Sequence, residues 1–594
     1  MFFNEAGGSL HLNTSQWIRD ARKKLVWSQT DLANKLQVSQ AQISQWELGR
    51  NEPSPQQTEA LKKLLEAAPV GANEGKVALF LAPKKKSENP PPQAAITPSV
   101  PSTLSQLESH LWESANILRG PVDAADFKTY IFPLLFFKRI CDVWDEEYQE
   151  IADEMGDPEL ALYPESHRFQ IPEGCHWRDV RETPVNVGSG LQRALREIEK
   201  VNPDTLYGVF GDAQWSNKDR LSDPLLKDLV EHFSRLPLGN KAFSSDVLGD
   251  AYEYLIKKFA DVTNKKAGEF YTPRSVVRMI VDMLDPQEGE TIYDPACGTG
   301  GMLLAAVQHV LEAHGDVKRL WGKLFGQEKN LTTSAIARMN LFLHGIEDFQ
   351  IVRGDTLRNP AFFDFDHLAT FDCVIANPPF SLEKWGEEVW ASDPFGRNFA
   401  GMPPSSSGDF AWVQHMVKSM AEVTGRMAVV LPQGALFRKG TEGEIRRKLL
   451  EMDLIEAVIG LAPNLFYGTG LAACVLILRK RKPTERKGKI MIADASLHFR
   501  KGRAQNYLEA EHAAEIVSWY HSFQDVPDKV RIVSKSEIAA EDWTLNISRY
   551  VLPPLNDDIP PLPQAIADFK AALKNCREAE ERLTKVMSEG GWLQ

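Results

Sequence analysis

From about residue 246 to residue 480 the sequence alternates short apolar runs with longer helical stretches. The runs typical of buried strands are TIYDPA, LFGQE, FDCVIANPP, RMAVVLP and CVLILRK. This alternation predicts an α/β fold with a doubly wound sheet, because each helix returns the chain across one face of the sheet before the next strand. In such folds ligands bind at the carboxyl edge of the sheet. Residues in the loops after these runs are therefore the candidates for binding and chemistry.

The first strand-like run leads into a glycine-rich turn, residues 294–301, and then into the helical stretch MLLAAVQHVLEAH. Glycines there let the backbone approach a ligand closely. A phosphate-binding turn is the competing interpretation, but its GxGxxG spacing is absent and an acidic residue ends the strand. DPACGTGGM resembles motif I of the S-adenosylmethionine-dependent methyltransferases. The resemblance implies that the cofactor is bound by Asp294, Ala296, Gly298, Thr299, Gly300 and Gly301.

Two further carboxylates follow strand-like runs. Glu328 ends GQE, where a carboxylate can accept hydrogen bonds from both ribose hydroxyls of the cofactor. Asp355, followed by Thr356, comes after FQIV and can accept from the adenine amino group of the cofactor. For either carboxylate the alternative is a helix N-cap. Their order behind the glycine-rich turn favours the cofactor site.

Upstream of the glycine-rich turn lies GEFYTPR, residues 268–274. It resembles motif X of the amino-methyltransferases, whose backbone and threonine-like side chain help to hold the cofactor. The resemblance assigns cofactor contacts to Glu269, Phe270, Tyr271, Thr272, Pro273 and Arg274. Pro273 also suits the first turn of the helix RSVVRMIVDML. Helix capping could thus explain Thr272 alone, but not the whole string.

The run FDCVIA ends in the NPPF loop, which consists of Asn377, Pro378, Pro379 and Phe380. An amino nitrogen on a base is a poor nucleophile, since its lone pair is delocalised into the ring. The Asn377 side-chain oxygen and the Pro378 carbonyl can accept its two N–H bonds and draw it towards tetrahedral geometry. The prolines stiffen the loop and remove competing donors, and Phe380 offers a face for stacking against a flipped base. Methyl transfer then requires positioning, with no metal or covalent nucleophile.

The NPPF loop alone leaves three targets open: adenine N6, cytosine N4 and a protein glutamine amide. The order of motif X, glycine-rich turn and NPPF loop resembles the gamma class of DNA amino-methyltransferases. Over residues 104–590 the chain resembles the modification subunits of type I restriction–modification systems, through SSDVLGDAYEYLIKKFA, GRMAVVLPQGALFRKG, LAPNLFYGTGLAACVLIL and DWTLNISRYV. The resemblance implies adenine-N6 methylation of double-stranded DNA by two copies of the chain around one specificity subunit. An ATP-dependent restriction subunit can join such a complex.

Residues 15–67 depart from that family pattern. Their apolar residues are spaced for two short helices joined by a tight turn, with Ser28 and Ser39 as N-caps. The apolar set is Leu32, Leu36, Val38, Ile43 and Trp46. The stretch resembles the phage-repressor class of helix-turn-helix domain, which places Gln40, Gln42 and Ser44 on DNA. A helical protein-interaction module of the same fold is the alternative. Residues 68–103, rich in Pro and Ser, predict a linker.

The regions on either side of the α/β stretch, residues 104–245 and 481–594, carry helical patterns. TYIFPLLFFKRICDVW predicts a buried helix with Pro133 in its first turn, after an earlier helix with Leu107, Leu111, Ala115 and Leu118 at helical spacing. We expect the sheet to end near Arg479, which leaves little chain for a target-recognition domain. The long closing helix has a heptad-like apolar stripe made of Ile566, Phe569, Leu573, Cys576, Leu583 and Met587. It predicts a docking element for a partner's helices, the alternative being that it folds back on its own chain.

Composition narrows the functional classes. The 594 residues exceed what one hydrophobic core supports, so we expect three or four domains. The six cysteines are scattered without CxxC or zinc-ligand spacing, which argues for a reducing compartment and against a structural metal. No apolar run is long enough to span a membrane, and MFFNEAGGSLHLN lacks the basic start of a secretory signal. We therefore expect a cytoplasmic protein with no membrane partner.

The net charge of −13 does not exclude DNA as a partner, because binding depends on where the lysines and arginines lie. The phosphate-binding pattern GxxxxGKS/T is absent, so motor and nuclease functions belong to other chains. Two rival functions remain: a stand-alone methyltransferase targeted by residues 15–67, and a DNA-binding regulator that keeps the methylase fold as a scaffold. The intact NPPF loop argues against the regulator, since a scaffold has no use for two aimed acceptors.

Overall fold

A computed structural model describes residues 103–155, 159–263, 272–314, 317–466, 469–503, 505–552 and 560–592, together with five residues nearer the N-terminus. The chain divides into two compact units, residues 1–97 and 98–594. In the first unit Leu32, Ile43 and Trp46 are buried against one another, with Leu36 and Val38 packed beside them. These five residues are the predicted core of the helix-turn-helix. Its predicted N-caps and DNA-contacting residues lie outside the described residues: Ser28, Ser39, Gln40, Gln42 and Ser44.

The second unit is organised by β-strands. Their bounds are β1 Ile292–Asp294, β2 Leu324–Glu328, β3 Gln350–Arg353, β4 Phe363–Asp364, β5 His367–Leu368, β6 Cys373–Ala376, β7 Arg426–Pro432, β8 Ile455–Leu461, β9 Ala473–Arg479, β10 Lys489–Ala495, β11 Arg500–Lys501, β12 Asn506–Tyr507 and β13 Val530–Ser534. Nine of the strands in the described part of the chain form one sheet, in the order β13-β10-β8-β9-β7-β6-β1-β2-β3. Strands β9 and β13 run antiparallel to their neighbours, and the other pairings are parallel. The remaining strands form two short hairpins, β4–β5 and β11–β12.

Helices account for most of the rest of this unit. Their bounds are α1 Leu104–Leu118, α2 Phe127–Met155, α3 Trp177–Arg181, α4 Val187–Val201, α5 Pro203–Leu206, α6 Asp223–Ser234, α7 Ser245–Thr263, α8 Arg274–Leu284, α9 Gly301–His314, α10 Leu331–Leu343, α11 Glu387–Trp390, α12 Asp409–Lys418, α13 Thr441–Glu451, α14 Ala510–Ser522, α15 Lys535–Ala540 and α16 Leu562–Glu589. Short 3-10 turns occur at Ala124–Asp126, Leu160–Leu162, Pro164–Ser166, Val317–Leu320, Gln433–Leu436, Thr484–Arg486 and Ile547–Arg549. Among the described helices, none is both long and apolar enough to cross a membrane.

Both faces of the sheet are covered, as the alternating sequence predicts. Because successive strand residues point to opposite faces, Cys373 and Ile375 of β6 pack with α8, α9 and α14, whereas Val374 and Ala376 pack with α12 and α13. Strands β7 and β8 are buried along their whole length. The predicted doubly wound α/β fold is therefore confirmed.

The chain reverses its direction of travel across the sheet between β1 and β6. Strands β1, β2 and β3 follow one another outwards on one side, while β6 and β7 continue on the other. Tyr293 of β1 pairs with Val374 of β6, so the loops after these two strands are neighbours. Such a switch point is where open α/β sheets bind ligands. The fold thus brings the glycine-rich turn and the NPPF loop to one place.

A second apolar core lies in the helical region that precedes the sheet. It joins α1, α2, α6 and α7 with one face of α10. Helix α1 buries Leu107, Leu111, Ala115 and Leu118, as their spacing predicts. The prediction for Pro133 was wrong: α2 begins at Phe127, directly after a 3-10 turn, so Pro133 lies inside the helix beyond the first turn. Its missing N–H leaves the helix without one of its backbone hydrogen bonds at that point.

The expectation that the sheet ends near Arg479 was also wrong. Strand β10 pairs with β8, and β13 pairs with β10, so the sheet gains two strands from residues 489–534. Helix α14 lies between them in sequence and packs on the sheet through Ile516, Trp519 and Tyr520. The predicted long helix α16 is confirmed, and none of its described residues is buried.

Candidate active site

The glycine-rich turn after β1 uses its glycines for backbone shape. Gly298 and Gly300 have φ values of +54° and +82°, in the left-handed region that glycine adopts without a steric penalty. Thr299 lies between them, and its carbonyl accepts a hydrogen bond of 3.0 Å from Asn340 Nδ2 of α10. Helix α9 begins at Gly301. The turn therefore exposes backbone at the helix N-terminus, where a ligand can approach it closely.

Asp294 ends β1 and lies almost fully buried beneath this turn. Its Oδ1 accepts a hydrogen bond of 3.0 Å from the Ala296 amide. Burial, assisted by the negative charge of Glu328, raises the pKa of Asp294 to about 8, although the Ala296 amide opposes the shift. The carboxyl group is therefore mostly neutral at pH 7, and a cation bound beside it favours its ionised form.

Glu328 at the end of β2 supports the same turn. One of its carboxylate oxygens accepts from the Gly298 amide at 3.1 Å and the other from the Asn330 amide at 2.7 Å. The N-cap alternative for Glu328 was wrong, because α10 is capped by Asn330, whose side chain accepts from the Thr333 amide. A carboxylate has about four acceptor positions. On Glu328 the Gly298 and Asn330 amides take two of these positions and hold the carboxylate at the glycine-rich turn.

Asp355 and Thr356 lie after β3. The Asp355 carboxylate pairs with Lys329 at 2.9 Å and also accepts from the Arg358 amide, so it closes the turn in which it lies. Thr356 is buried and its hydroxyl donates to the Pro295 carbonyl at 2.6 Å, which ties this loop to the glycine-rich turn.

Arg397 fixes the loop that contains Thr356 from the other side. It is almost fully buried, pairs with Asp393 at 2.7 Å and donates to the carbonyls of Thr356 and Leu357 at 3.0 Å each. Its guanidinium also lies 4.6 Å from the Trp390 ring centroid. Removing one partner of a buried ion pair is costly, so Arg397 should stay paired with Asp393. In this position it holds the carbonyls of Thr356 and Leu357.

Asn377, the first residue of the NPPF loop, has one end of its amide occupied. Its Nδ2 donates to Thr272 Oγ1 at 2.7 Å, across 105 residues of sequence. Its Oδ1 is buried and has no hydrogen-bond partner among the described residues. A buried acceptor without a partner costs free energy. A donor that forms a hydrogen bond with Oδ1 would remove this cost. Thr272 contacts the NPPF loop instead of capping α8, whose N-cap residue is Pro273.

Other residues of the NPPF loop pack against the protein interior. Pro378 is buried, and Phe380 is half-buried with its ring centroid 5.9 Å from that of Phe466 in a T-shaped arrangement. Ser381, the next residue, has φ +49° and donates its amide to Asp409 Oδ1 at 2.7 Å. The left-handed region costs a residue with a Cβ about 1–2 kcal/mol. The hydrogen bond to Asp409 helps to offset this cost.

A cavity of about 630 Å³ opens at the switch point, a volume suited to a cofactor-sized ligand. The predicted residues that line it are Thr272, Arg274, Asp294, Ala296, Gly298, Thr299, Gly301 and Asn377. Those that are described but do not line it are Pro273, Gly300, Glu328, Asp355, Thr356, Pro378, Pro379 and Phe380. Glu269, Phe270 and Tyr271 lie outside the described residues.

Several residues of the cavity were not predicted from the sequence. Asn340 lines it, is almost fully buried and has an Oδ1 without a partner among the described residues. Its polar side chain in the apolar helix segment ARMNLFL was a signal that could have found it. Glu253 of α7 also lines the cavity and pairs with Arg274. Leu508 and Ala513 close it from the α14 side, where no local pattern distinguishes them from core residues.

Comparison with known families shows which family this chain belongs to. Residues 243–558 match the family model described as N-6 DNA Methylase, residues 107–233 match the HsdM N-terminal domain, and residues 18–70 match a helix-turn-helix family. The first match alone spans more than half of the chain. The chain belongs to the N-6 DNA methylase family. Within this family it is a methylase subunit of the type I restriction–modification kind, a DNA adenine-N6 methyltransferase.

Curated relatives of this methylase span most of its length. It is 34% identical to the MjaVII methylase subunit of a type I restriction enzyme from Methanocaldococcus jannaschii, over 82% of this chain and 83% of the relative. The MjaIX methylase subunit of the same organism is 29% identical over 82% of this chain and 90% of the relative. Among solved structures, the methyltransferase subunit of a type I restriction–modification system from Streptococcus thermophilus is 30% identical. It superimposes with a TM-score of 0.65, covering 76% of this chain and 100% of that chain.

Proposed function

We propose that this methylase transfers a methyl group from S-adenosylmethionine to N6 of an adenine swung out of duplex DNA, with Asn377 and Pro378 as the acceptors of the target amino group. The observation that carries the assignment is Asn377 Oδ1, a buried acceptor without a partner among the described residues. Asn377 lines the same cavity as the glycine-rich turn. The target amine and the cofactor would then meet at the switch point of the sheet.

The residues around the cavity fit S-adenosylmethionine. The Gly298 and Gly300 backbone permits close approach at the N-terminus of α9, and Asp294 suits a cationic group. Glu328, whose carboxylate lies at the glycine-rich turn, is the proposed acceptor for the ribose hydroxyls. Glu269, Phe270, Tyr271, Pro273 and Arg274 of the motif X string, with Ala296, Thr299, Gly301, Asp355 and Thr356, complete the proposed cofactor site. When bound, this cofactor supplies an electrophilic methyl group on sulfur.

The protein's part in the reaction is to hold the amine in place. Asn377 Oδ1 and the Pro378 carbonyl accept its two N–H bonds, which stabilises positive charge on the nitrogen as it attacks. Thr272 keeps the amide of Asn377 in the orientation that presents oxygen. Pro379 limits the backbone freedom of the loop, and Phe380 offers a ring edge or face to the flipped base. Proton loss from the product amine needs no residue held at a special pKa.

We further propose that the methylase works with double-stranded DNA in a complex with a specificity subunit and a second copy of itself, which an ATP-dependent restriction subunit can join. Support comes from α16, whose apolar side chains are exposed along its length, including Phe569 at 66% and Leu583 at 60%. Exposed apolar stripes of this kind mark helix-docking surfaces. The helix-turn-helix unit would add DNA contacts through Gln40, Gln42 and Ser44. A cytoplasmic location stays a prediction.

Methyl transfer from labelled S-adenosylmethionine to mixed-sequence duplex DNA, with and without the specificity subunit, tests this function. We expect label on adenine N6 with the specificity subunit present, and its loss in the Asn377→Ala variant. Sequence-specific label without that subunit would move target recognition to this chain. Cofactor binding with no label in any combination would refute the assignment of the NPPF loop.

A further inference from the structure

The C-terminal end of the NPPF loop is attached to a group of buried charges. Ser381 adopts the left-handed conformation and donates its amide to Asp409 Oδ1 at 2.7 Å. Asp409 is the first residue of α12 and only 1% of it is exposed. The residue after the NPPF loop is therefore hydrogen-bonded to a buried side chain at the start of α12.

Asp409 is itself held by Arg438 and Glu442. The Arg438 guanidinium, in the loop after β7, pairs with Asp409 and also donates to both carboxylate oxygens of Glu442, at 2.6 and 3.0 Å. Glu442 belongs to α13, is 4% exposed and accepts a further hydrogen bond of 3.2 Å from Ser407 Oγ. Buried charges persist only where they are paired and hydrogen-bonded. The network thus fixes the Asp409 carboxylate relative to three elements on the carboxyl side of the sheet.

The network does not belong to the cofactor cavity. Asp409, Arg438 and Glu442 are absent from the described lining of the cavity. The long excursion between Ser381 and Asp409 is closed separately, by a hydrogen bond of 2.9 Å from the Gly408 amide to the Leu382 carbonyl. The contact between Asp409 and Ser381 is therefore separate from the cavity lining and additional to the hydrogen bond that closes this excursion.

We propose that Asp409 is a positioning residue for methyl transfer, which acts by holding Ser381 and so fixing the Pro378 carbonyl. The inference rests on the proposed role of the NPPF loop. Thr272 holds the first residue of the loop and Asp409 holds the residue after its last, while two prolines limit the backbone between them. A displacement of about 1 Å at a reacting group can lower a rate about a hundredfold. An anchor at each end prevents such a displacement.

The test compares Asp409→Ala, which removes the acceptor, with Asp409→Asn, which keeps an acceptor oxygen for the Ser381 amide. In the complex with the specificity subunit, we expect Asp409→Ala to lower kcat at least about 30-fold while cofactor Kd and DNA KM change less than about threefold. Asp409→Asn should recover at least about fivefold of that loss. Amide hydrogen exchange of the peptide containing Ser381 should be faster in Asp409→Ala.

Glu456→Gln provides a matched control for the loss of a buried ion pair. Glu456 is fully buried and pairs with Arg479 and Arg486, at the amino end of β8 on the opposite edge of the sheet. It should lower stability while leaving kcat and the exchange of the Ser381 peptide unchanged. Equal losses of kcat in Glu456→Gln and Asp409→Ala, or an unchanged kcat in Asp409→Ala, would overturn the inference.

Asn377→Ala distinguishes a failure of the proposed role of Asp409 from a failure of the proposed role of the NPPF loop. If it is inactive while Asp409→Ala is fully active, the inference alone fails. If Asn377→Ala itself retains activity, the proposed role of the NPPF loop fails and the inference fails with it.

Discussion

The Asn377 amide carries a donor and an acceptor, and only the acceptor suits a target amino group. Thr272 Oγ1 accepts from the donor end at 2.7 Å, and Oδ1 is buried without a partner among the described residues. Because Thr272 Oγ1 accepts from Nδ2, the acceptor end of the amide is not used by this contact. Thr272, in the string GEFYTPR, is thus the hydrogen-bond partner of Asn377, which lies 105 residues later.

Replacing Thr272 by valine keeps the shape of the side chain and removes the hydroxyl. We expect kcat to fall about 10- to 100-fold, because the amide can then present its NH₂ group to the target, while cofactor Kd changes less than about threefold. Thr272→Ser, which keeps the hydroxyl, is the control and should stay within about threefold of the parent kcat. Steady-state kinetics and calorimetric titration measure both quantities. A valine variant with weakened cofactor binding and normal kcat would mean that Thr272 serves the cofactor instead.

The raised pKa of Asp294 gives a second prediction. An unfolded-state pKa near 3.8 and a folded-state pKa of about 8 mean that the folded chain binds an extra proton between these values, so this residue's contribution to stability falls as pH rises through that window. A cationic cofactor favours the ionised form. Its affinity should therefore rise between about pH 6 and pH 8, with proton release on binding.

Calorimetry in buffers of different ionisation enthalpy measures that proton release. Asp294→Asn, which cannot ionise, should bind more weakly and show a flat pH profile over the same range. A parent chain whose cofactor affinity does not change from pH 6 to pH 8 would contradict this role.

Site residues could be predicted from the sequence where a short contiguous motif identifies them. The strand-ending Asp294 and the NPPF loop carry their own pattern, and the structure brings Asp294 and Asn377 to one cavity. The partners that tune them were not predictable. Thr272 was predicted as a cofactor residue but not as the hydrogen-bond partner of Asn377. Asn340 and Asp409 were not predicted, because their contacts are with residues far away in sequence, which the spacing along one element does not record.

At the scale of elements, the order of strands places both motif loops at one edge. Alternation of apolar runs and helices was enough to predict the two-faced sheet, but not the direction of every strand. Strand β9 follows β8 after residues 462–472 with no helix in the described part of that connection, and so runs antiparallel between β7 and β8. Strands β8, β10 and β13 were missed, and β13 has the partly exposed pattern of an edge strand.

Helix α16 gives a prediction that belongs to this scale. Leu573 lies on its apolar stripe and is 41% exposed, so Leu573→Glu should leave the melting temperature of the isolated chain unchanged. It should weaken binding to the specificity subunit at least about tenfold, because a charge at a docking position remains unpaired. Ala571→Glu introduces the same charge on the opposite face, and it should bind normally. Pull-down titrations compare the two, and equal binding would exclude this stripe as the docking surface.

At the scale of the whole molecule, the two compact units have separate cores. The residues of the candidate site that are described all lie in residues 98–594, and the net charge of −13 is compatible with the proposed sharing of DNA contacts with partners. Residues 18–70, within the first unit, carry the match to a helix-turn-helix family.

Removing residues 1–97 should therefore leave adenine methylation by the complex within about threefold of the full chain, since no residue of the described cavity is lost. DNA binding by the chain alone, measured by fluorescence anisotropy at fixed salt, should weaken. Loss of methylation with cofactor binding intact would instead assign target delivery to the first unit.

In the proposed mechanism, Asn377 Oδ1 accepts a hydrogen bond from the target amine. Single-turnover methyl transfer by the complex tests it most directly, with Asn377→Asp and Asn377→Leu compared at saturating cofactor and DNA. Aspartate keeps an acceptor at this position and leucine keeps only the volume, so we predict a rate within about tenfold of the parent for Asp and a loss of at least about 10² to 10³ for Leu. Equal rates for the two variants would contradict the claim.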